Sequence, residues 1–271
     1  LPAGYSKESD LSGLRRFSVV TGTHSDELEG QYVCYEVSRI LQENTDKLKG
    51  IVDIYPALNP LGIDSLERGI PGFDLDMNRI FPGSSHGSMA EHAAASIVED
   101  LSGSDMVIDI HSSNLYLTEI PQARISEVFQ NELIPYAKHL NIDFIWVHSA
   151  STVLEATLAH SLNSIGTPTI VVEMGIGLRL TQAYGRQLTQ GIFSLMKYMG
   201  IWDGEAVIPR KPLISTETDD VEFLNAPVSG VFIQHMEHNS FVNKGDVIGI
   251  IADPLRGECL HKVKAPCTGV I

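Results

Sequence analysis

Along most of the chain, short apolar runs alternate with longer stretches whose apolar residues recur at helical spacing, and this alternation predicts the architecture. A buried strand is expected over 17–21, then a helix over 29–42 with Val33, Val37, Ile40 and Leu41 on one face. Further strands at 51–55, 106–110, 144–147 and 169–173 are interleaved with helices at 88–101, 125–139, 153–162 and 180–199. Strands separated by helices of that length imply an α/β fold with a largely parallel sheet flanked by helices on both faces. The rhythm breaks between 56 and 87, where Pro56, Pro60, Pro71 and Pro82 are interspersed with glycines. A loop that long in a compact domain is usually functional.

Beyond residue 202 the pattern changes, so that 1–202 is expected to be one catalytic domain, 203–222 a linker rich in proline and charge, and 223–271 a small β domain. The small domain carries an internal echo: Ala226-Pro227-Val228-Ser229-Gly230-Val231 returns as Ala265-Pro266-Cys267-Thr268-Gly269-Val270. Between the copies, Val242 to Gly249 reads as a turn followed by a strand. This arrangement resembles the barrel-sandwich hybrid fold of biotinyl and lipoyl domains. A carrier role would need a modifiable lysine in the central hairpin, and Ile251-Ala252-Asp253-Pro254-Leu255-Arg256 offers none, so a structural module is expected. The second copy begins just before Ile271, which leads to the expectation that this domain is incomplete in the chain.

Composition narrows the function. The 271 residues carry 19 Lys+Arg against 34 Asp+Glu, a formal charge of −15. No basic cluster is available for phosphate backbones, which excludes sequence-independent nucleic-acid binding and directs attention to small molecules. The longest apolar runs, 169–172 and 247–252, fall far short of the roughly 18 residues that span a bilayer. The polar opening of the chain lacks the apolar region of a secretory signal. Cys34, Cys259 and Cys267 form no CxxC pair, so a cytoplasmic, reducing location is expected.

Candidate chemistry stands where the strands end. His24 and Glu27 follow the first strand, His111 follows the run at 106–110, and Glu173 closes the run at 169–173. Ligands of open α/β sheets bind beyond the carboxyl ends of the strands, so these side chains are expected to converge on one crevice. Two histidines and a glutamate, with one position left open, match a ligand set of catalytic zinc. Such a centre polarises a carbonyl and acidifies a water, and a carboxylate outside the ligand set can carry the proton. From the 56–87 loop come Arg68, Asp76, Asn78 and Arg79; the Asn-Arg pair reads either as loop capping or as a clamp for a substrate carboxylate.

Gly22-Thr23-His24-Ser25-Asp26-Glu27, Asp76 to Gly83, Asp109-Ile110-His111 and Val172-Glu173-Met174-Gly175 together resemble the succinylglutamate desuccinylase/aspartoacylase family, a branch of the zinc carboxypeptidase fold. The resemblance implies one Zn2+ per chain on His24, Glu27 and His111, with Glu173 as general base and acid. It further implies Arg68 as the arginine that steadies the oxyanion, Asn78 and Arg79 as the holders of the substrate carboxylate, and Asp76 as the acid behind His24. Ser25 departs from the glycine usual after the family's first histidine. The implied activity is deacylation of an N-acyl amino acid or similar small amide by metal-activated water, with no nucleic-acid or membrane partner and with self-association left open. A zinc carboxypeptidase for short peptides and a non-catalytic metal- or carboxylate-binding module are the alternatives.

The remaining features read more simply. His86, His92, His139, His148 and His160 lack ligand spacing and are expected at the surface or in the core, and His235, His238 and His261 likewise suggest no second metal centre. Glu119, Arg124 and Arg179 could face substrate or be ordinary loop residues. Cys34 is expected to be a small buried hydrophobe.

Overall fold

The computed structural model describes residues 1–73, 75–149, 154–215 and 220–271 and divides into two compact units, Leu1–Glu217 and Thr218–Ile271. In chain order the first unit contains β1 (Arg16–Thr21), α1 (Glu29–Glu43), β2 (Ile51–Tyr55), α2 (Pro60–Ser65), α3 (Met89–Leu101), β3 (Met106–His111) and β4 (Glu119–Ser126). It continues with α4 (Gln130–Ala137), β5 (Phe144–His148), α5 (Leu158–Ser164), β6 (Thr169–Gly175), α6 (Gln182–Tyr198) and β7 (Leu213–Ser215). The strands form one seven-stranded sheet in the order β2-β1-β3-β6-β4-β5-β7. β2, β1, β3 and β6 run parallel, and β4 turns the direction by pairing antiparallel with β6. The sheet is therefore mixed and largely parallel, flanked by helices, as the alternation of strands and helices implies.

Alternation along the strands supplies both cores. Phe17, Val19, Met106, Ile108, Ile110, Ile170 and Val172 pack on one face against Val33 and Val37 of α1 and Leu188, Ile192 and Leu195 of α6. Val20 and Val107 point the other way, to Ala90, Ala94 and Leu101 of α3 and Leu158 and Leu162 of α5. Each of the larger side chains among these contributes about 1.5–3 kcal/mol by leaving water. Ser88 starts α3 through a reciprocal capping box with Glu91, which satisfies two backbone donors at the helix start. Gly30 lets α1 lie directly on β1, since a Cβ there would come within 2.0 Å of Thr21 Oγ1.

Three elements differ from the pattern-based expectation. The helix expected over 125–139 is α4 alone, and residues 119–126 are the strand β4. Its cavity-lining positions are mostly polar, and Pro121 interrupts the polar/apolar alternation that would mark a half-buried strand. The helix expected over 153–162 is a 3-10 turn at Leu154–Ala156 followed by α5, with Val153 outside the described residues. Within the stretch read as linker, residues 203–215 belong to the first unit: β7 pairs with β5, and Arg210 Nη1 reaches Asp143 Oδ1 at 2.8 Å. The unit boundary falls after Glu217.

The second unit holds β8 (Val231–Gln234), β9 (Phe241–Val242), β10 (Val247–Asp253), β11 (Glu258–Lys264) and β12 (Gly269–Val270). β11-β10-β8 form one antiparallel sheet, and β12 pairs with β9. Each copy of the repeated motif ends at a strand, β8 or β12. Its small core is Val242, Ile248 and Ala265. Among the described residues no helix is long and apolar enough to cross a membrane.

Candidate active site

β1 ends at Thr21, and Gly22 at φ +74° turns the chain across the sheet edge. A side chain at Gly22 would meet the Ala57 backbone at 3.0 Å as well as an unfavourable φ, so the turn favours glycine. The backbone bond from Glu27 N to His24 O, 3.4 Å, closes the next turn and brings these two side chains together. His111, the last residue of β3, pairs in register with Glu173 of β6.

The three ligand-type side chains interlock. His24 Nδ1 lies 2.8 Å from Glu27 Oε1, and His111 Nδ1 lies 2.9 Å from Glu27 Oε2. Ser112 N donates to the same Oε2 at 3.0 Å. Behind the rings, His24 Nε2 is 2.9 Å from Asp76 Oδ1, and His111 Nε2 is 3.2 Å from Asp109 Oδ1 without hydrogen-bond alignment. All three side chains are buried, and a ligand atom from each lies within 4.8 Å of the others.

This donor set fits a divalent cation. Two Nδ1 atoms converge on one carboxylate while both Nε2 atoms are backed by acids, the arrangement that fixes ligand tautomer and basicity in metal centres. Without a cation the cluster gathers protons instead. Burial opposes charging the rings, but the hydrogen bonds and charges of Asp76 and Glu27 raise His24, and Asp109 and Glu27 raise His111 well above the ordinary imidazole range. Burial likewise opposes ionising Glu27, yet His111 and His24 hold it below the usual carboxylate range. Burial opposes ionising Asp76, but the hydrogen bond and charge of His24, the Asn78 backbone bond and the charge of Arg79 together hold it at about 2.

Arg68, just past α2, donates through Nη1 to Glu27 Oε1 at 2.9 Å and Asp26 Oδ1 at 3.2 Å, and Nη2 is 3.2 Å from His24 Nδ1. Ser25 Oγ bonds the carbonyl of Glu67, the residue before Arg68, and so ties down the Arg68 loop. Asn78 and Arg79 lie in the 3-10 turn at Met77–Arg79, which Asp76 caps through Asn78 N. Asn78 Oδ1 accepts from Leu158 N at the start of α5, 3.0 Å, and Arg79 Nη1 bonds Asn78 O at 2.7 Å.

A cavity of about 390 Å³ joins these groups: His24, Glu27, Arg68, Asn78, Arg79, His111 and Glu173 all line it. Asp76 stands behind His24 and does not line it. Burial pushes the Glu173 carboxyl up to about 8, with His111 and Arg124 opposing the rise and Glu119 and Glu27 adding to it.

The far wall holds residues that the sequence left ambiguous or read as ordinary. Arg124 bonds Glu119, sits 5.3 Å over the Trp146 ring and approaches Glu173 Oε1 at 3.8 Å. His148 and His160, expected at the surface or in the core, both line the cavity, whereas Arg179 does not. Asp109, which the sequence reading gives no role of its own, stands behind His111. Its i, i+2 spacing to His111 on one strand puts both on one face, a signal available in the sequence.

A mixed, largely parallel sheet flanked by helices, with a His-Glu-His cluster at the ends of its parallel strands, is the zinc carboxypeptidase-like fold. Residues 14–199 match the succinylglutamate desuccinylase/aspartoacylase catalytic domain, and the chain belongs to that family. It is 26% identical over 242 residues, 87% of this chain and 70% of the relative, to an N-alpha-acetyl-L-2,4-diaminobutyric acid deacetylase of Halomonas elongata. Its fold is shared with an ectoine utilization protein from Ruegeria pomeroyi in a product-bound structure, at TM-score 0.77 and 21% identity, covering 95% of this chain and 80% of that one. A succinylglutamate desuccinylase from a Silicibacter species gives 0.76 and 22%, covering 95% and 79%. Family and relatives together indicate an amidohydrolase of the deacylase type.

Proposed function

We propose that the protein is a zinc-dependent deacylase that hydrolyses the amide bond of an N-acyl amino acid or similar small amide in the cytoplasm. The observation that carries this reading is the presence of Glu173, with its carboxyl raised to about 8, in the same cavity as the His24-Glu27-His111 cluster. His24, Glu27 and His111 would hold the zinc, which supplies Lewis-acid polarisation of a carbonyl and acidification of a water.

The rest falls to the chain's own side chains. Arg79 and the Asn78 amide hold a substrate carboxylate, which fixes the acyl carbonyl toward the cluster. The Arg68 guanidinium donates to the carbonyl oxygen as charge develops on it. Removing such a donor in other hydrolases costs about 10²–10³ in rate. Glu173 takes a proton from the attacking water and returns it to the leaving amine, a task suited to a carboxyl whose pKa lies near the working pH.

The test is amine release from a panel of N-acetyl and N-succinyl amino acids, with dipeptides and tripeptides alongside, using zinc-loaded protein and Glu173→Gln. Turnover of an acyl amino acid that falls about 10²–10⁴-fold in the variant, with zinc still bound, supports the reading. Cleavage of peptides alone overturns the deacylase reading, and stoichiometric zinc without turnover of anything overturns the enzymatic one.

A further inference from the structure

Among the described residues Glu173 makes one ion-pair contact, with Arg124, and it comes from the far wall of the cavity. Arg124 lies on β4, two residues beyond Gln122, which pairs in register with Glu173 across the β4–β6 ladder. Arg124 and Gln122 therefore share the Glu173 face of the sheet. Three contacts set the guanidinium's position. Nη2 donates to Glu119, which also accepts from Gln122 Nε2 at 3.3 Å. The Trp146 ring, in register with Arg124 on β5, lies beneath it at 5.3 Å. The remaining edge presents Nη1 to Glu173 Oε1 at 3.8 Å, while Nε is buried with no hydrogen-bond partner.

We infer that Glu119, Arg124 and Trp146 form a built clamp that positions the Glu173 carboxylate, with Arg124 as the positioning residue. The inference rests on the reading of Glu173 as the proton carrier. Glu119 is 8% exposed, so its carboxylate would be costly to bury unpaired; the pair makes burial tolerable and leaves the guanidinium plane fixed. Stacking on Trp146 removes the other freedom of a long, flexible side chain. A planar fork held on two sides can steady a carboxylate on the third, where a lysine, a flexible point charge, cannot. The 3.8 Å separation leaves Glu173 able to turn toward an entering water without breaking a tight bond.

The test uses zinc-loaded enzyme and the panel amide with the highest turnover. Arg124→Ala is expected to lower kcat about 10²-fold, the cost of a misplaced reacting group, with KM within about threefold. Glu119→Gln keeps the size of the anchor and is expected to lower kcat about tenfold, and Arg124→Lys is expected to fall between the two. Methylguanidinium added to Arg124→Ala is expected to restore part of kcat, which a general packing defect would not allow. Crystal structures of Glu119→Gln and Arg124→Lys should show the Glu173 carboxylate displaced by more than about 0.5 Å. If Arg124→Ala does not fold, these two milder variants carry the test.

A rise in KM with kcat unchanged makes Arg124 a substrate contact and overturns the inference, as does wild-type kcat in every variant. If Glu173→Gln itself turns over at the wild-type rate, the proton-carrier reading fails first and takes this inference with it. A dead Glu173→Gln beside fully active Arg124 variants sinks the clamp alone.

Discussion

The two walls of the cavity are built on different principles. On the β1–β3 side, His24, Glu27 and His111 are buried and locked at 2.8 and 2.9 Å, every ring nitrogen faced by a carboxylate. On the β4–β5 side, the nearest approach to Glu173 is 3.8 Å and the anchoring arginine is partly open to the cavity. The first wall packs Glu27, Asp26, Asp76 and Asp109 closely around two histidines and Arg68; the second sets Arg124 between Glu119 and Glu173 with a looser approach to Glu173. Close contacts mark the cluster proposed to hold the metal, and looser ones the carboxyl proposed to carry the proton.

Removing a ligand should break the first wall outright. His111→Ala is expected to weaken zinc binding by more than about 10²-fold, beyond the effect of losing an outer partner, and to abolish turnover. Metal content after dialysis and amine release check this, whereas Arg124 variants should keep their zinc and so separate the two walls.

Ser25→Gly probes the link from Ser25 to the Arg68 loop. Releasing the Glu67 carbonyl should loosen the guanidinium without deleting it, so kcat is expected to fall about tenfold, less than the 10²–10³ of a lost donor. Steady-state kinetics of Ser25→Gly beside Arg68→Ala would show whether the smaller effect is a fraction of the larger one.

The smallest effect is on stability. In chelator, His24 and His111 have folded pKa values above 6.5, so their contribution is full below that pH and is lost as pH rises through the folded values. Glu173 ionises at 4.5 unfolded and about 8 folded, so the folded state holds an extra proton in that window and loses stability as pH climbs. Glu27, depressed below 4.5, acts oppositely and is lost only as pH falls through the acid range. The Tm of metal-free protein should therefore be highest near pH 4.5 and decline from there, more steeply above 6.5, by several degrees toward about pH 9. Zinc displaces the protons and should flatten this decline. Thermal unfolding with chelator and with zinc tests both, and a metal-free Tm that rises from about pH 6 to pH 9 would contradict the cluster's charge balance.

The same contrast governs what the sequence revealed. The first wall was legible because apolar runs such as Met106-Val107-Ile108 announce a buried strand, and the polar residue where the run stops stands out. The second wall was hidden because β4 faces a polar cavity: Glu119, Arg124 and Ser126 occupy positions where a core strand would be apolar. Its alternation pairs polar with apolar around Pro121, which reads as a loop running into a helix. β7 escaped notice for a different reason. Its three residues carry too little pattern to signal a strand, and only their pairing with β5 defines it. In the small unit, the turn at Gly245-Asp246 and the hairpin that follows were readable because glycine and polar residues punctuate short apolar strands.

One bond made by Asn78 decides what it can say to a substrate. Its side-chain oxygen is committed to the first amide of α5, so the helix chooses which way round the carboxamide sits. Only the NH2 end is left to address whatever enters the cavity, and an NH2 group speaks to acceptors alone. A short helix that itself lines the cavity through His160 thereby leaves only the donor end of Asn78 for the substrate carboxylate of the proposed mechanism.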